Sequence, residues 1–241
     1  MDKVLLVIGA SSDMGIATIK ELGADYTYII AHYRTMNPDL ELLCGELGNK
    51  MICLQADLAL EGDVLKLITE IKSTNRIPTH IIHFPAPQCK NSKFHKIEWN
   101  VFQDEINISI RSVILILKTF LPQMAKQKYG RIILMLSFVV EGSAPAYCCN
   151  YVVTKYAMLG LVKALATEYA SKGITVNGIS PAWVQTKYIS NQPDLLVQQN
   201  AQLSPLGRIL EVQDIVPSIR YLFSDDAKCI NGQNIAITCG R

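Results

Sequence analysis

Tyr151 and Lys155 have the spacing of a proton-transfer pair. Their four-residue interval places both side chains on one face of a helix, one turn apart. A phenol has an unperturbed pKa of about 10, and a neighbouring ammonium lowers that pKa because it favours the phenolate. Ser137 follows the apolar run 132–136, where its hydroxyl can polarise the same substrate oxygen. Together the three residues predict proton exchange with a carbonyl or alcohol oxygen; a solvated Tyr–Lys pair is the alternative.

A turn rich in small residues follows the first apolar run, Val4–Ile8. Few bulky side chains stand there, so a diphosphate can approach the N-terminus of the next helix. The usual GxGxxG spacing is absent, and an ordinary strand-to-helix turn is the alternative. Asp13 would repel a phosphate unless its carboxylate caps the helix. The turn predicts a dinucleotide site made by Gly9, Ser11, Ser12, Asp13, Met14 and Gly15.

The second apolar run ends in Ala31-His32-Tyr33-Arg34. Sites that select NAD usually carry an acid at this point, which binds the ribose 2′-hydroxyl. Here Arg34 stands instead, and an arginine can pair with a 2′-phosphate through two hydrogen bonds. The sequence therefore predicts NADP as the cofactor, with NAD as the alternative.

Strand-like and helix-like segments alternate along the chain. Long amphipathic helices are expected over 105–125 and 151–170. Seven short apolar runs predict strands over 4–8, 28–32, 51–54, 80–84, 131–136, 175–179 and 234–237. This order predicts an α/β fold, a doubly wound, Rossmann-type parallel sheet of seven strands in a single domain over 1–241. Ligands of such sheets bind beyond the carboxyl ends of the strands.

Composition excludes several classes of protein. The 241 residues are 49% hydrophobic with a net charge of +2, which argues against disorder and against a nucleic-acid partner. No apolar run approaches the roughly 20 residues of a membrane span. The seven cysteines (44, 53, 89, 148, 149, 229 and 239) contain no CxxC pair, and the four histidines have no metal-site spacing. We expect no metal, reduced thiols and a cytoplasmic protein.

The motifs resemble the classical short-chain dehydrogenase/reductase family over essentially the whole chain, and the 3-oxoacyl-carrier-protein reductase type most of all. The resemblance rests on the motifs GASSDMG (9–15), GRIILMLS (130–137), YVVTK (151–155) and GITVNGISPAWVQT (173–186). The resemblance implies that Tyr151 is the general acid/base, that Lys155 lowers its pKa and holds the nicotinamide ribose, and that Ser137 orients the substrate. It also implies further cofactor contacts from Asp57, Leu58, His83, Phe84, Pro85, Pro181, Val184 and Thr186.

Several positions depart from the family pattern. Asp13 replaces the central glycine of TGxxxGIG, HFPA (83–86) replaces NNAG, and Ala182 replaces the glycine after Pro181. The family's relay asparagine is displaced: alignment without gaps on the downstream helix puts Ser109 there, with Asn107 two residues earlier. We expect Ser109 to take this place in the catalytic set.

The remaining predictions concern the surroundings of the site. The polar segment 187–203 is expected to form a substrate lid, bordered by Tyr147, Trp183 and Tyr188. His83 either lines the cleft or is structural, and Arg208 is expected to be structural. By resemblance the long helices imply a homotetramer, or a homodimer. The main hypothesis is an oxidoreductase for a small-molecule carbonyl or alcohol. A non-catalytic cofactor-binding or interaction protein is second, and a nucleotide-sugar epimerase or dehydratase is third.

Overall fold

Seven parallel strands form one sheet at the centre of the fold. The computed structural model describes residues 2–88, 91–142 and 144–240. The strands are β1 (Val4–Ile8), β2 (Tyr28–Tyr33), β3 (Met51–Gln55), β4 (His80–His83), β5 (Gly130–Met135), β6 (Ile174–Pro181) and β7 (Asn234–Ile237). Their order across the sheet is β3-β2-β1-β4-β5-β6-β7, and each neighbouring pair is parallel. The predicted doubly wound α/β fold is confirmed.

Helices cover both faces of the sheet. They are α1 (Asp13–Leu22), α2 (Pro38–Leu47), α3 (Glu61–Ser73), α4 (Trp99–Glu105), α5 (Ser112–Gln127), α6 (Cys149–Tyr169), α7 (Asp194–Leu203) and α8 (Val212–Phe223). One apolar core lies under α3, α5 and α6, and a second lies under α1, α2 and α8. In β1, residues 4, 6 and 8 enter the first core while 5 and 7 enter the second. Because helices cover both faces of β1, all of its residues are apolar and its sequence is an unbroken apolar run.

The helix before β5 begins earlier than its sequence pattern predicts. It starts at Trp99, not Glu105, and passes through a π-helical turn at Ile106–Arg111 before it continues as α5. The wider turn shifts the side-chain period, so the apolar stripe of α5 does not extend back through α4. Helix Trp99–Gln127 is also apolar and long enough to pass a test for a membrane span, but 44% of its most apolar stretch is buried inside the fold. Core helices pass the same test, so this is weak evidence for a span.

One pair of cysteines is joined, which corrects the expectation of reduced thiols throughout. Cys44 of α2 and Cys53 of the edge strand β3 form a disulfide. The two residues are only nine apart in sequence, and no spacing rule marks them as partners. Cys148, Cys149, Cys229 and Cys239 form no disulfide among the described residues, and Cys89 lies outside them. Within the described ranges no cluster of His, Cys, Asp or Glu could hold a metal ion.

Candidate active site

The turn between β1 and α1 is shaped by two glycines. Gly9 has a φ of +85°, and a side chain there would meet Pro85 at 3.1 Å. A side chain at Gly15 would come within 2.5 Å of the Gly9 carbonyl oxygen. Ser12 caps the helix: its hydroxyl accepts a hydrogen bond from the Gly15 N–H (3.1 Å) and donates to the Gly9 carbonyl (2.7 Å). The first turn of α1 thus presents free backbone N–H groups to an open cleft.

Asp13 does not cap the helix, which was one way in which its charge beside the turn could have been accommodated. Ser12 already holds that position, so the Asp13 carboxylate turns outward. It accepts a hydrogen bond of 2.6 Å from the Lys187 N–H, and the Lys187 ammonium lies 4.0 Å away. That ammonium also lies 3.8 Å from Asp39. Asp13 thereby connects the phosphate-binding turn to the first residue of the predicted lid.

A cleft of about 1380 Å³ opens at the carboxyl ends of the strands, where the fold predicts a ligand. The sequence-predicted cofactor residues that line it are Gly9, Ser11, Ser12, Asp13, Met14, Arg34, Asp57, Leu58, Phe84, Pro85, Tyr151, Lys155, Pro181, Val184 and Thr186. Gly15 lies buried beneath the turn. Arg34 is exposed at the end of β2. Asp57 is fixed by a hydrogen bond of 2.9 Å from the Ala59 N–H.

His32 also lines the cleft, although sequence reasoning did not select it. Its Nδ1 accepts a hydrogen bond from the Gly9 N–H (3.2 Å), and its Nε2–H donates to the Ala56 carbonyl (3.1 Å). Burial lowers the pKa of His32 to about 4, so the ring is neutral at pH 7. Its position at the carboxyl end of β2, where such sheets bind their ligands, could have identified His32 as a cleft residue.

His83 does not line the cleft, which corrects its assignment as a cofactor contact. The side chain is fully buried, and its Nε2–H donates to the Ser112 hydroxyl at 3.0 Å. Burial lowers the pKa of His83 to about 3, and the nearby Lys155 adds to that effect. The structural alternative for His83 therefore holds.

Ser137, Tyr151 and Lys155 line the same cleft. Ser137 follows β5 directly, and its hydroxyl accepts a long hydrogen bond of 3.5 Å from the Val139 N–H. Lys155 is 2% exposed and donates to the Met135 carbonyl at 2.7 Å; its Nζ lies 5.4 Å from the centre of the Tyr151 ring. Burial lowers the pKa of Lys155 to about 8, opposed by the negative charge of Glu105. Tyr151 and Lys155, paired from their spacing in the sequence, are therefore close in space.

Ser109 lies behind this group rather than in the cleft. It is fully buried in the π-helical turn, and its hydroxyl donates to the Pro85 carbonyl at 3.3 Å. Asn107 is half-buried and accepts a hydrogen bond from Gln103 at 3.0 Å. Of the two positions, Ser109 is therefore the fully buried one.

The opposite wall of the cleft is formed after β6. Tyr147, Trp183 and Tyr188 border it as predicted, with the Tyr188 hydroxyl donating to the Pro87 carbonyl at 2.9 Å. The segment 187–203 forms a short 3₁₀ turn followed by α7, and several of its residues line the cleft. Arg208 pairs with Asp214 through two hydrogen bonds of 2.6 and 3.0 Å, which is a structural role before α8.

Known proteins with similar sequences include reductases of the acyl-carrier-protein type. A family model described as enoyl-(acyl carrier protein) reductase matches residues 9–241. The chain is 30% identical to the 3-oxoacyl-[acyl-carrier-protein] reductase FabG of Staphylococcus epidermidis, covering 100% of this chain and 99% of that protein. It is 29% identical to the 3-oxoacyl-[acyl-carrier-protein] reductase of Synechocystis, with coverage of 99% and 96%.

Solved structures share the same architecture. Levodione reductase superposes with a TM-score of 0.89 at 22% identity, covering 100% of this chain and 97% of that one. ElxO with NADP bound superposes with a TM-score of 0.86 at 23% identity, with coverage of 100% and 98%. At these identities the likeness shows the fold.

Proposed function

Because the chain is an enzyme of the short-chain dehydrogenase/reductase family, we propose that it is an NADP(H)-dependent oxidoreductase that reduces a small-molecule carbonyl to an alcohol, or catalyses the reverse reaction. The observation that carries this proposal is the convergence of Ser137, Tyr151 and Lys155 on the cleft that also receives the glycine turn. Folding alone does not require these three polar side chains to meet at one cleft.

The residues of the cleft fit a dinucleotide. Gly9 and Gly15 keep the turn free of side chains, so the N–H groups of α1 can hold a diphosphate. Arg34 lines the cleft and would bind a ribose 2′-phosphate, which supports NADP over NAD. Asp57 and Leu58 would hold the adenine, and Pro181, Val184 and Thr186 the carboxamide. When bound, the nicotinamide supplies or accepts the hydride.

The protein's own residues handle the proton. In the reducing direction the Tyr151 hydroxyl donates its proton to the substrate oxygen while Ser137 donates a hydrogen bond to the same oxygen. Lys155, held by the Met135 carbonyl, keeps positive charge near the phenol and stabilises the phenolate left behind. In the oxidising direction the same groups act in reverse.

An assay of NADPH oxidation against a panel of 3-oxoacyl thioesters, ketones and aldehydes tests this function, with a binding titration of NADPH alongside. We expect turnover with at least one carbonyl class. Binding without turnover across the whole panel would instead support the non-catalytic interpretation. That alternative is not favoured by the reductase relatives.

Assembly and location stay predictions. Ile114 of α5 and Val153 of α6 are 41% and 51% exposed, and apolar side chains on these two long helices are suited to pairing between subunits. We propose a homotetramer or homodimer, and light scattering that finds only monomer would overturn it. We also propose a cytoplasmic location; the Cys44–Cys53 disulfide is the observation that weighs against it.

A further inference from the structure

A buried acid lies behind the Tyr–Lys pair, where the resemblance to the family gives no reason to expect one. Glu105, the last residue of α4, is 1% exposed. One of its carboxylate oxygens accepts a hydrogen bond of 3.2 Å from the side-chain amide of Asn150, which directly precedes Tyr151. Asn150 is 2% exposed. A buried carboxylate is costly unless it is compensated, so its placement calls for an explanation.

The compensation is incomplete within the protein. Glu105 Oε2 and Asn150 Oδ1 are both buried, and neither has a hydrogen-bond partner among the described residues. The cation acting on Glu105 is the ammonium of Lys155, which is itself buried. A single water molecule would satisfy these groups if it donated to both oxygens and accepted a hydrogen bond from the Lys155 ammonium.

Ser109 is less suited to conduct a proton from this position. Its hydroxyl is directed to the Pro85 carbonyl, and a serine side chain is shorter than the asparagine for which it substitutes. Ser109 lies within the π-helical turn Ile106–Arg111, which begins directly after Glu105, so the two residues belong to one continuous helix. The polar function expected at the asparagine position is therefore available from Glu105.

We infer that Glu105 is a positioning residue that completes a proton relay, Tyr151–Lys155–Glu105, by returning a proton to Lys155 after each carbonyl reduction. This inference rests on the proposed function. Tyr151 gives its proton to the substrate oxygen, and the Lys155 ammonium gives one to the phenolate. The neutral Lys155 amine then takes a proton from the Glu105 carboxylic acid through the bridging water. Glu105 is left as a carboxylate and regains its proton from solvent.

The titration of Glu105 supports this order of events. Burial raises its pKa to about 7, and Lys155 and the Asn150 hydrogen bond act in the opposite direction. A carboxyl group with this pKa is partly protonated at neutral pH and can both give and take a proton. As the pH rises through about 7, the protonated fraction of Glu105 falls, so fewer enzyme molecules can return a proton to Lys155 during carbonyl reduction.

The test compares Glu105→Gln, which keeps the size and the Asn150 contact, with Glu105→Asp and a control, Glu98→Gln. Glu98 is exposed at the start of the same helix and its side chain makes no capping hydrogen bond. We expect Glu105→Gln to lower kcat for reduction by about 10- to 100-fold with little change in KM, and to remove the inflection near pH 7 from the kcat profile. Glu105→Asp should retain the inflection, and Glu98→Gln should match the wild type. A Glu105→Gln profile that overlays the wild type would overturn the relay.

A second measurement does not depend on turnover or on a variant that folds. Carbon-13 NMR of glutamate-labelled wild-type protein, without cofactor, should show one carboxyl group that titrates near pH 7. If every glutamate titrates near its ordinary value of about 4.3, the relay is wrong. If this titration is found but no carbonyl is reduced, the proposed function fails separately.

Discussion

The ammonium of Lys155 lies 5.4 Å from the centre of the Tyr151 ring, one turn further along α6. Its hydrogen bond to the carbonyl of Met135, the last residue of β5, fixes the ammonium at the carboxyl end of that strand, two residues before Ser137. Position in the sheet and spacing in the helix thus bring the cation and the phenol into one cleft. In the proposed function, this relationship is what would make the phenol a usable acid.

Replacement of Lys155 by methionine should stabilise the fold around neutral pH. The folded-state pKa of Lys155 is about 8, below its unfolded value of about 10.4, so the unfolded chain binds more protons between these values. The wild type therefore gains stability from this group as the pH rises from about 8 to 10.4, by roughly 3 kcal/mol. The advantage of Lys155→Met in urea unfolding should shrink across that range. Lys118→Met, an exposed change on α5, should show no such trend; a constant difference for Lys155→Met would contradict the account.

Replacement of Asp13 by asparagine should strengthen NADPH binding. The amide oxygen can still accept from the Lys187 N–H, so the change removes mainly the negative charge beside the expected diphosphate. We expect Kd to fall about 3- to 10-fold at low salt, and less at high salt because screening weakens the repulsion. Fluorescence titration measures this. Asp39→Asn, which also removes a charge near Lys187 but does not line the cleft, should have a smaller effect; equal effects would refute a specific role for Asp13.

Replacement of Arg34 by alanine should reduce the preference for NADPH over NADH. Arg34 is exposed at the cleft, and its guanidinium is the group we assign to the 2′-phosphate. Losing a charge-assisted contact of this kind costs about 1.5–3 kcal/mol, so Kd for NADPH should rise at least about tenfold. NADH serves as the internal control because it lacks the phosphate. A parallel loss of affinity for both nucleotides would show that Arg34 does not read the 2′ position.

Reduction of the Cys44–Cys53 disulfide should destabilise the fold modestly. The bond closes a short loop between α2 and β3, and restricting such a loop in the unfolded chain stabilises the native state by about 2–3 kcal/mol. Urea unfolding with and without a thiol reductant measures the difference. A Cys44→Ala/Cys53→Ala double variant should be insensitive to the reductant, and a wild type that is equally insensitive would mean that the bond does not form.

The sheet was predictable from sequence because its five inner strands are buried on both faces and read as apolar runs, and the partly buried edge strands β3 and β7 are also short apolar runs. Val4–Ile8 and Asn234–Ile237 have the predicted bounds in the structure, and the other five differ by at most two residues at either end. The start of the helix at Trp99 was not predictable, because the π-helical turn interrupts the period on which helix prediction relies.

Sequence spacing predicted which site residues are neighbours when both lie on one helix. It could not predict neighbours that are brought together by the packing of two separate elements. Tyr151 and Lys155 share a helix, so four residues suffice to pair them. Glu105 and Asn150 meet only because α4 packs against α6. From sequence alone, an acidic residue at the end of a helix is expected to be exposed to solvent. His83 was misplaced because its strand ends at the cleft while its side chain enters the core, where Ser112 binds it.

The rate of NADPH oxidation by Tyr151→Phe, with saturating NADPH and a carbonyl that the wild type reduces, tests the central claim most directly. We expect a loss of at least about 100-fold, because phenylalanine keeps the ring and lacks the proton, with Kd for NADPH nearly unchanged. Tyr156→Phe, on the exposed side of the same helix, should retain the wild-type rate. A Tyr151→Phe enzyme that turns over at the wild-type rate would contradict the account.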